Sequence, residues 1–226
     1  MTDSEYCYVL LSPTFGMHQY TADLAARALA ASHAAHLVTT TGYPADRYPS
    51  AVTVRTPVTT RSAFGRDALK ARALRDLRFA ICDSHADVVH FTGPHLWNLP
   101  LLWQLRRAGI PTVHTLHDLD PHPGTSYGPL LYLWNRLVAH SASHILVHGR
   151  RYARRVAAWI GAERVSYTPL LHGFWGNQLS VAGCRLQVGE GKSEVRSQKS
   201  KVKGQESKVE RFALFFGRVE RYKGID

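Results

Sequence analysis

GIPTVHTLHDLD, from Gly109 to Asp120, decides how the chain folds. Gly109 stops the helix-period stretch Leu96 to Ala108, and Pro111 two residues later prevents its continuation. Thr112 to Leu116 is short, apolar and rich in β-branched residues, the composition of a strand buried on both faces. Polar residues follow at once: His117, Asp118 and Asp120. A helix that runs through a tight turn into a buried strand with a polar end is the second half of a βαβ unit.

The alternation continues on both sides. Tyr6 to Leu11, His36 to Thr39, Val52 to Arg55, Asp87 to Phe91, His144 to Val147 and Val165 to Thr168 are the other expected strands. Tyr20 to Ala31, Arg61 to Cys82, Tyr127 to His140 and Arg150 to Ile160 have helical periodicity, with Tyr20, Leu24 and Ala28 on one stripe. The expected fold is α/β, a doubly wound parallel, Rossmann-like sheet over residues 1–176.

Composition narrows the class. At 226 residues, 45% hydrophobic and 20% charged, the chain has room for one α/β domain and part of another. No apolar run approaches the ~20 residues of a membrane span, and MTDSEY is not a signal peptide, so the expected location is cytoplasmic. Cys7, Cys82 and Cys184 lie far apart, without a C-x-x-C pair, and are expected to be reduced, at least two of them in the core. The net charge is +11, but Arg185 to Arg211 holds eight Lys/Arg and four Asp/Glu, so +4 sits in one short stretch. The remainder is spread out and lacks the aromatic and basic interleaving that stacks single-stranded bases, so no nucleic acid partner is expected.

That short stretch has a different character. KSEVRSQ, KSKVKGQ and ESKVERF repeat in sevens, with Val195, Val202 and Val209 as the single apolar position of each, one fewer than a coiled coil needs. Five of the seven lysines lie here, whereas the preceding 180 residues use arginine almost throughout. Residues 177–211 therefore read as a low-complexity, disordered insertion. Beyond it Phe212 to Phe216 resumes a buried-strand pattern and Gly217 turns it, the start of a second domain over 212–226.

In an open parallel sheet ligands bind beyond the carboxyl ends of the strands. Four segments lie there. In SPTFGMHQYT, Ser12 to Thr21, Gly16 lets backbone approach a ligand, the next helix start favours an anion, and His18 is a further polar candidate. There is no G-x-G-x-x-G, which removes the main support for a dinucleotide dehydrogenase. In FTGPHLWN, Phe91 to Asn98, His95 and Asn98 are polar groups near the rim, while Trp97 and Trp103 read as packing residues. In TLHDLDPHPG, Thr115 to Gly124, His117 sits where its imidazole can accept a hydrogen bond from a hydroxyl, and Asp118 and Asp120 can orient it or bind polar groups. His114, His117 and His122 are not a metal set, because a three-residue step on a strand puts the first two on opposite faces. Asp118-Leu-Asp120 is a D-x-D, too common a tripeptide to assign a metal. In the terminal GRVERYK, Arg218 and Lys223 can pair with a diphosphate. His172 in PLLHGF lies at the expected hinge between domains. Arg150, Arg151, Arg154 and Arg155 share one arc of a helix, a solvated face or one that docks on anionic lipid headgroups.

Taken together, the Gly16 loop, DVVHFTGPHLWNLPLL, GIPTVHTLHDLDPH, ASHILVHGRRYARRV, PLLHGF and FFGRVERYKGID resemble the family four retaining glycosyltransferases of the GT-B fold. The resemblance covers nearly everything outside residues 177–211. It implies that 1–176 is the N-terminal acceptor-binding domain and that 212–226 opens the C-terminal sugar-nucleotide-binding domain, here truncated. It further implies that Gly16, Arg218 and Lys223 face the donor phosphates, and that His117 lies near donor sugar and acceptor. The acceptor-binding candidates are His18, His95, Asn98, Asp118 and His172. No metal and no cofactor are implied.

The partners expected are a nucleotide-sugar donor, a glycan, lipid or small-molecule acceptor, and a peripheral anionic membrane surface at the inner face. The reaction expected is sugar transfer to a hydroxyl with retention, absent from this chain alone because the donor domain is missing. Nucleotide-sugar epimerases fit TLHDLDPH and FFGRVERYKGID less well. The alternative is a non-catalytic acceptor-domain fragment that binds glycan or anionic membrane.

Overall fold

The computed structural model describes residues 4–12, 14–59, 70–120 and 128–168, and the backbone of 178–181 and 184–187. The chain divides into two units, 1–172 and 173–226. In the first, seven strands form one parallel sheet: β1 (Glu5–Leu10), β2 (Ala34–Thr40), β3 (Thr53–Val58), β4 (Val88–Phe91), β5 (Thr112–Leu116), β6 (His144–Val147) and β7 (Val165–Tyr167). Their order, β3-β2-β1-β4-β5-β6-β7, reverses between β1 and β4. There the connections on the two sides diverge and leave a crevice at the carboxyl ends. Among the described residues five α-helices accompany the sheet: α1 (Phe15–Ala30), α2 (Ala71–Cys82), α3 (Asn98–Arg107), α4 (Gly128–Ser141) and α5 (Arg150–Ile160).

Alternation along the central strands supplies two cores. Cys7, Val9, Leu11, Val89 and Phe91 face Leu77, Leu101, Leu105, Val138 and Val156, from the helices α2 to α5. Tyr8, Leu10 and Leu37 face the small residues Ala22, Ala25 and Ala28 of α1. Those alanines let α1 lie close to β1 and β2.

The expected Gly109 stop is present. Gly109 adopts φ +73° and donates to Arg106, while Ile110 donates to Leu105, closing the end of α3. The end of α4 is closed from another element: the Arg164 guanidinium donates to the carbonyls of Ala139, His140, Ala142 and Ser143.

Several expectations are corrected. α1 begins at Phe15, five residues before the expected Tyr20, so Gly16 and His18 belong to its first turns and not to a loop. Thr14, in extended conformation, accepts from Met17 and His18, and Gly16 costs little where backbone N–H groups have no helical partner anyway. At the start of the stretch 177–211 the described backbone pairs as two antiparallel strands, β8 (Gln178–Val181) and β9 (Cys184–Gln187), from Gln178 with Gln187 to Val181 with Cys184, while the sevenfold repeat expected to be disordered lies outside the described residues. Leu179, Val181 and Leu186 give this stretch a β-forming content that the lysines further on obscured. Of the two cysteines whose side chains are described only Cys7 is core, with burial pushing its thiol up to about 12, whereas Cys82 is exposed at the end of α2. Trp103 is not a packing residue: it is 52% exposed, with the Arg107 guanidinium 3.6 Å over its ring.

Gly93 lies where the β1 and β4 loops meet. A Cβ there would sit 2.7 Å from Leu10 Cδ1 and 3.0 Å from Met17 Sδ, and Leu10 is fully buried. Gly16 has nothing within 4 Å of the same position. Gly93→Ala is therefore expected to destabilise by about 1–3 kcal/mol. Gly16→Ala is expected to be neutral or stabilising by up to about 1 kcal/mol. Urea denaturation midpoints of the two variants check both.

Candidate functional site

The crevice between β1 and β4 is walled by the segments after β1, β4, β5 and β6, with α1 across one face. Alternation puts His90, Thr92, Thr115 and His117 toward α1, and Phe91 and His114 toward the helices of the opposite face. Thr115 is the hub of the α1 side. Its hydroxyl lies 2.8 Å from His90 Nε2 and 3.2 Å from Tyr20 Oη. Thr21 of α1 lies 2.7 Å from the Thr92 hydroxyl and also donates to the Met17 carbonyl. Tyr20 presents its ring edge-on to both His117 and His148, with centroids 5.2 and 5.1 Å away, and these two imidazoles are 5.0 Å apart.

The tautomer of His117 follows from its partner. Nε2 is 2.7 Å from the Thr92 carbonyl, which can only accept, so Nε2 carries the proton. Burial holds the imidazole below its ordinary pKa, although the Thr92 carbonyl and Asp118 act the other way. The ring is therefore neutral near pH 7, with a lone pair on Nδ1. His95 is the complement. The Trp97 backbone N–H donates to its Nδ1 at 3.1 Å, so the proton is on Nε2, which is buried and has no hydrogen-bond partner among the described residues. Asn98 ties the rim to the sheet, its Nδ2 donating to the Gly93 carbonyl at 2.7 Å and to His114 Nε2 at 3.0 Å.

The other candidates are placed differently. His18 is buried and bonded through Nδ1 to the Tyr48 hydroxyl at 2.8 Å, facing the turn Ala45–Arg47; burial and Arg47 hold it below the ordinary pKa. Asp118 is exposed, and its carbonyl accepts from Asn135. Asp120 faces α5, where Arg155 Nη1 donates to its carboxylate at 2.7 Å and holds its pKa down. Leu119 between them is fully buried. Gly16 is exposed in the first turn of α1. His122, His172, Arg218 and Lys223 lie outside the described residues. The structure thus brings together His95, Asn98 and His117, and adds Tyr20, His90, Thr92, Thr115 and His148. These were hidden because His90 and Thr115 sit inside strands. Their only signal was a polar side chain on the same face of two neighbouring buried strands.

Comparison with known proteins fits this architecture. Residues 15–170 match the model of the Glycosyl transferase 4-like domain. The chain belongs to this family. A crystal structure of HepE from Anabaena in complex with UDP and glucose is similar over 76% of this chain and 45% of that one, with a TM-score of 0.52 at 14% identity. A putative UDP-N-acetylglucosamine 2-epimerase from Listeria monocytogenes is similar over 73% and 45%, with a TM-score of 0.54 at 10% identity. The chain thus spans less than half the length of these structures. No curated protein matches. The unit 1–172 carries this Glycosyl transferase 4-like domain on the doubly wound, Rossmann-like parallel sheet expected of it, the fold it shares with these structures.

Burial makes the site acid-sensitive. His90 and His114 are held down to about 3 and His95 to about 4, by desolvation first and, for the first two, by neighbouring imidazoles. In the unfolded chain each protonates near 6.5. Between these limits the unfolded state binds more protons, so stability falls as pH drops from about 6.5 toward 4, by up to about 1.4 kcal/mol per pH unit for each imidazole. Thermal melts across that range are expected to show a steep loss of Tm, and His90→Gln to flatten it by one imidazole's share.

Proposed function

We propose that the chain is the acceptor-facing half of a family four retaining glycosyltransferase, acting on a nucleotide diphosphate sugar and a hydroxyl acceptor. The observation that carries this reading is His117, a neutral imidazole just after β5 with its Nε2–H committed to the Thr92 carbonyl after β4 and a lone pair on Nδ1. Such a group accepts a hydrogen bond from a sugar or acceptor hydroxyl without competing for the proton that holds it in place. His95 Nε2–H adds a donor on the neighbouring strand end. In the transfer the bond from the anomeric carbon to the diphosphate oxygen breaks, a bond to the acceptor oxygen forms on the same face of the sugar, and the acceptor's hydroxyl proton passes to the departing diphosphate. The family resemblance assigns stabilisation of the departing diphosphate to Arg218 and Lys223. The acceptor is a glycan, a lipid or a small molecule.

On this reading the 226-residue polypeptide alone does not turn over a nucleotide sugar. Release of nucleoside diphosphate from a panel of nucleotide sugars is the measurement, and steady release would overturn the claim. The reading frame beyond the Asp226 codon supplies the second test. Where it encodes the donor-binding half, the joined protein is expected to transfer sugar. His117→Ala in it is expected to lower kcat/KM about tenfold to a hundredfold, the scale of one lost hydrogen bond to a group left unpaired. Unchanged kinetics would remove His117 from the site.

A further inference from the structure

The outer surface of α3, α4 and α5 differs from the rest of the domain in two independent ways. On α4, Asn135, Val138 and Ala139 are buried, while Leu130, Leu133 and Leu137 on the opposite side are 67%, 53% and 44% exposed. A helix in a soluble domain normally presents polar residues there. This one presents a leucine stripe three and four residues apart. The charge is equally one-sided. α3 carries two arginines, α4 one and α5 four, and none of the three helices contains Asp or Glu, whereas α1 and α2 each carry an aspartate.

The helices are neighbours, with α4 between the other two. Arg136 and Tyr132 of α4 reach Trp159 of α5, and Arg106 of α3 donates to the His140 carbonyl at the end of α4. Arg136, Arg150, Arg151 and Arg154 are exposed, and Trp103 on α3 adds a half-exposed ring.

The geometry points to a membrane-docking face: the leucine stripe of α4 enters the interface of an anionic bilayer, and the arginines of α3 and α5 bind its headgroups. Charge selects this occupant. A second copy of the chain seated on the same face would set Arg150, Arg151 and Arg154 against their own counterparts, while the neighbouring acid Asp120 is already engaged by Arg155. A leucine stripe between arginine rows suits a surface that is apolar within and negative at its rim. The inference does not depend on sugar transfer, and its test does not read activity.

The test is co-sedimentation of the 226-residue chain with vesicles of phosphatidylcholine alone, or with one third phosphatidylglycerol. Binding to the anionic vesicles only, weakened by added salt, is expected. Replacing Leu130, Leu133 and Leu137 together by Gln should reduce the bound fraction about tenfold or more with unchanged far-ultraviolet circular dichroism. Arg150→Glu with Arg151→Glu and Arg154→Glu should abolish binding, which keeps the test decisive if the leucine variant misfolds. Neutralising Lys192, Lys199, Lys201, Lys203 and Lys208 should leave binding in place. Absence of binding, binding untouched by the leucine or arginine changes, or binding lost with the lysines overturns the proposal. So does a sedimentation-velocity dimer that the leucine changes dissociate.

Discussion

Desolvation of the imidazoles at the carboxyl ends of β4 and β5 is the constraint on which the site depends. His90 and His114 cannot ionise where they are, so each must be satisfied as a neutral ring by one fixed partner, Thr115 and Asn98 respectively. Those partners then fix others. Thr115 holds Tyr20, and Tyr20 is the wall against which His117 and His148 stand. Asn98 reaches Gly93 and so connects the rim loop to the strand beneath it. An apolar strand would pack as well, but it would leave the rim side chains free to rotate. The neutral network exchanges acid tolerance for fixed side-chain positions at the crevice.

The sheet was legible because its strands are short apolar runs separated by helical periods, and three elements, β5, β6 and α5, match their expected bounds. β5 is preceded by Pro111 and α5 is bounded by Gly149 and Gly161, each of which has one local consequence. The start of α1 was obscured by Gly16, which signals a turn in most contexts but is tolerated in a first helical turn. β8 and β9 were obscured by a lysine-rich neighbourhood, because composition averages over a window longer than either strand. The site was legible at its rim, where His95, Asn98 and His117 follow strand ends. It was illegible beneath, because His90 and Thr115 meet only through the parallel register of β4 and β5, which no local pattern encodes. The burial of His18 against Tyr48 was hidden for the same reason: the partners are thirty residues apart.

The two faces of the domain also divide its chemistry. The side covered by α1 holds the histidines, threonines and tyrosine of the crevice, with most of their polar atoms committed to one another. The opposite side is covered by helices whose arginines remain largely in solvent.

Arg164 ties the far end of α4 by a different device from the one that orders the crevice. Its guanidinium bonds four backbone carbonyls, so the closure joins a cation to oxygens that have no proton to gain. The crevice is held instead by imidazoles that must stay neutral. His144, beside the clamp, shares that dependence, its imidazole held below the ordinary range by burial and by the Arg164 charge.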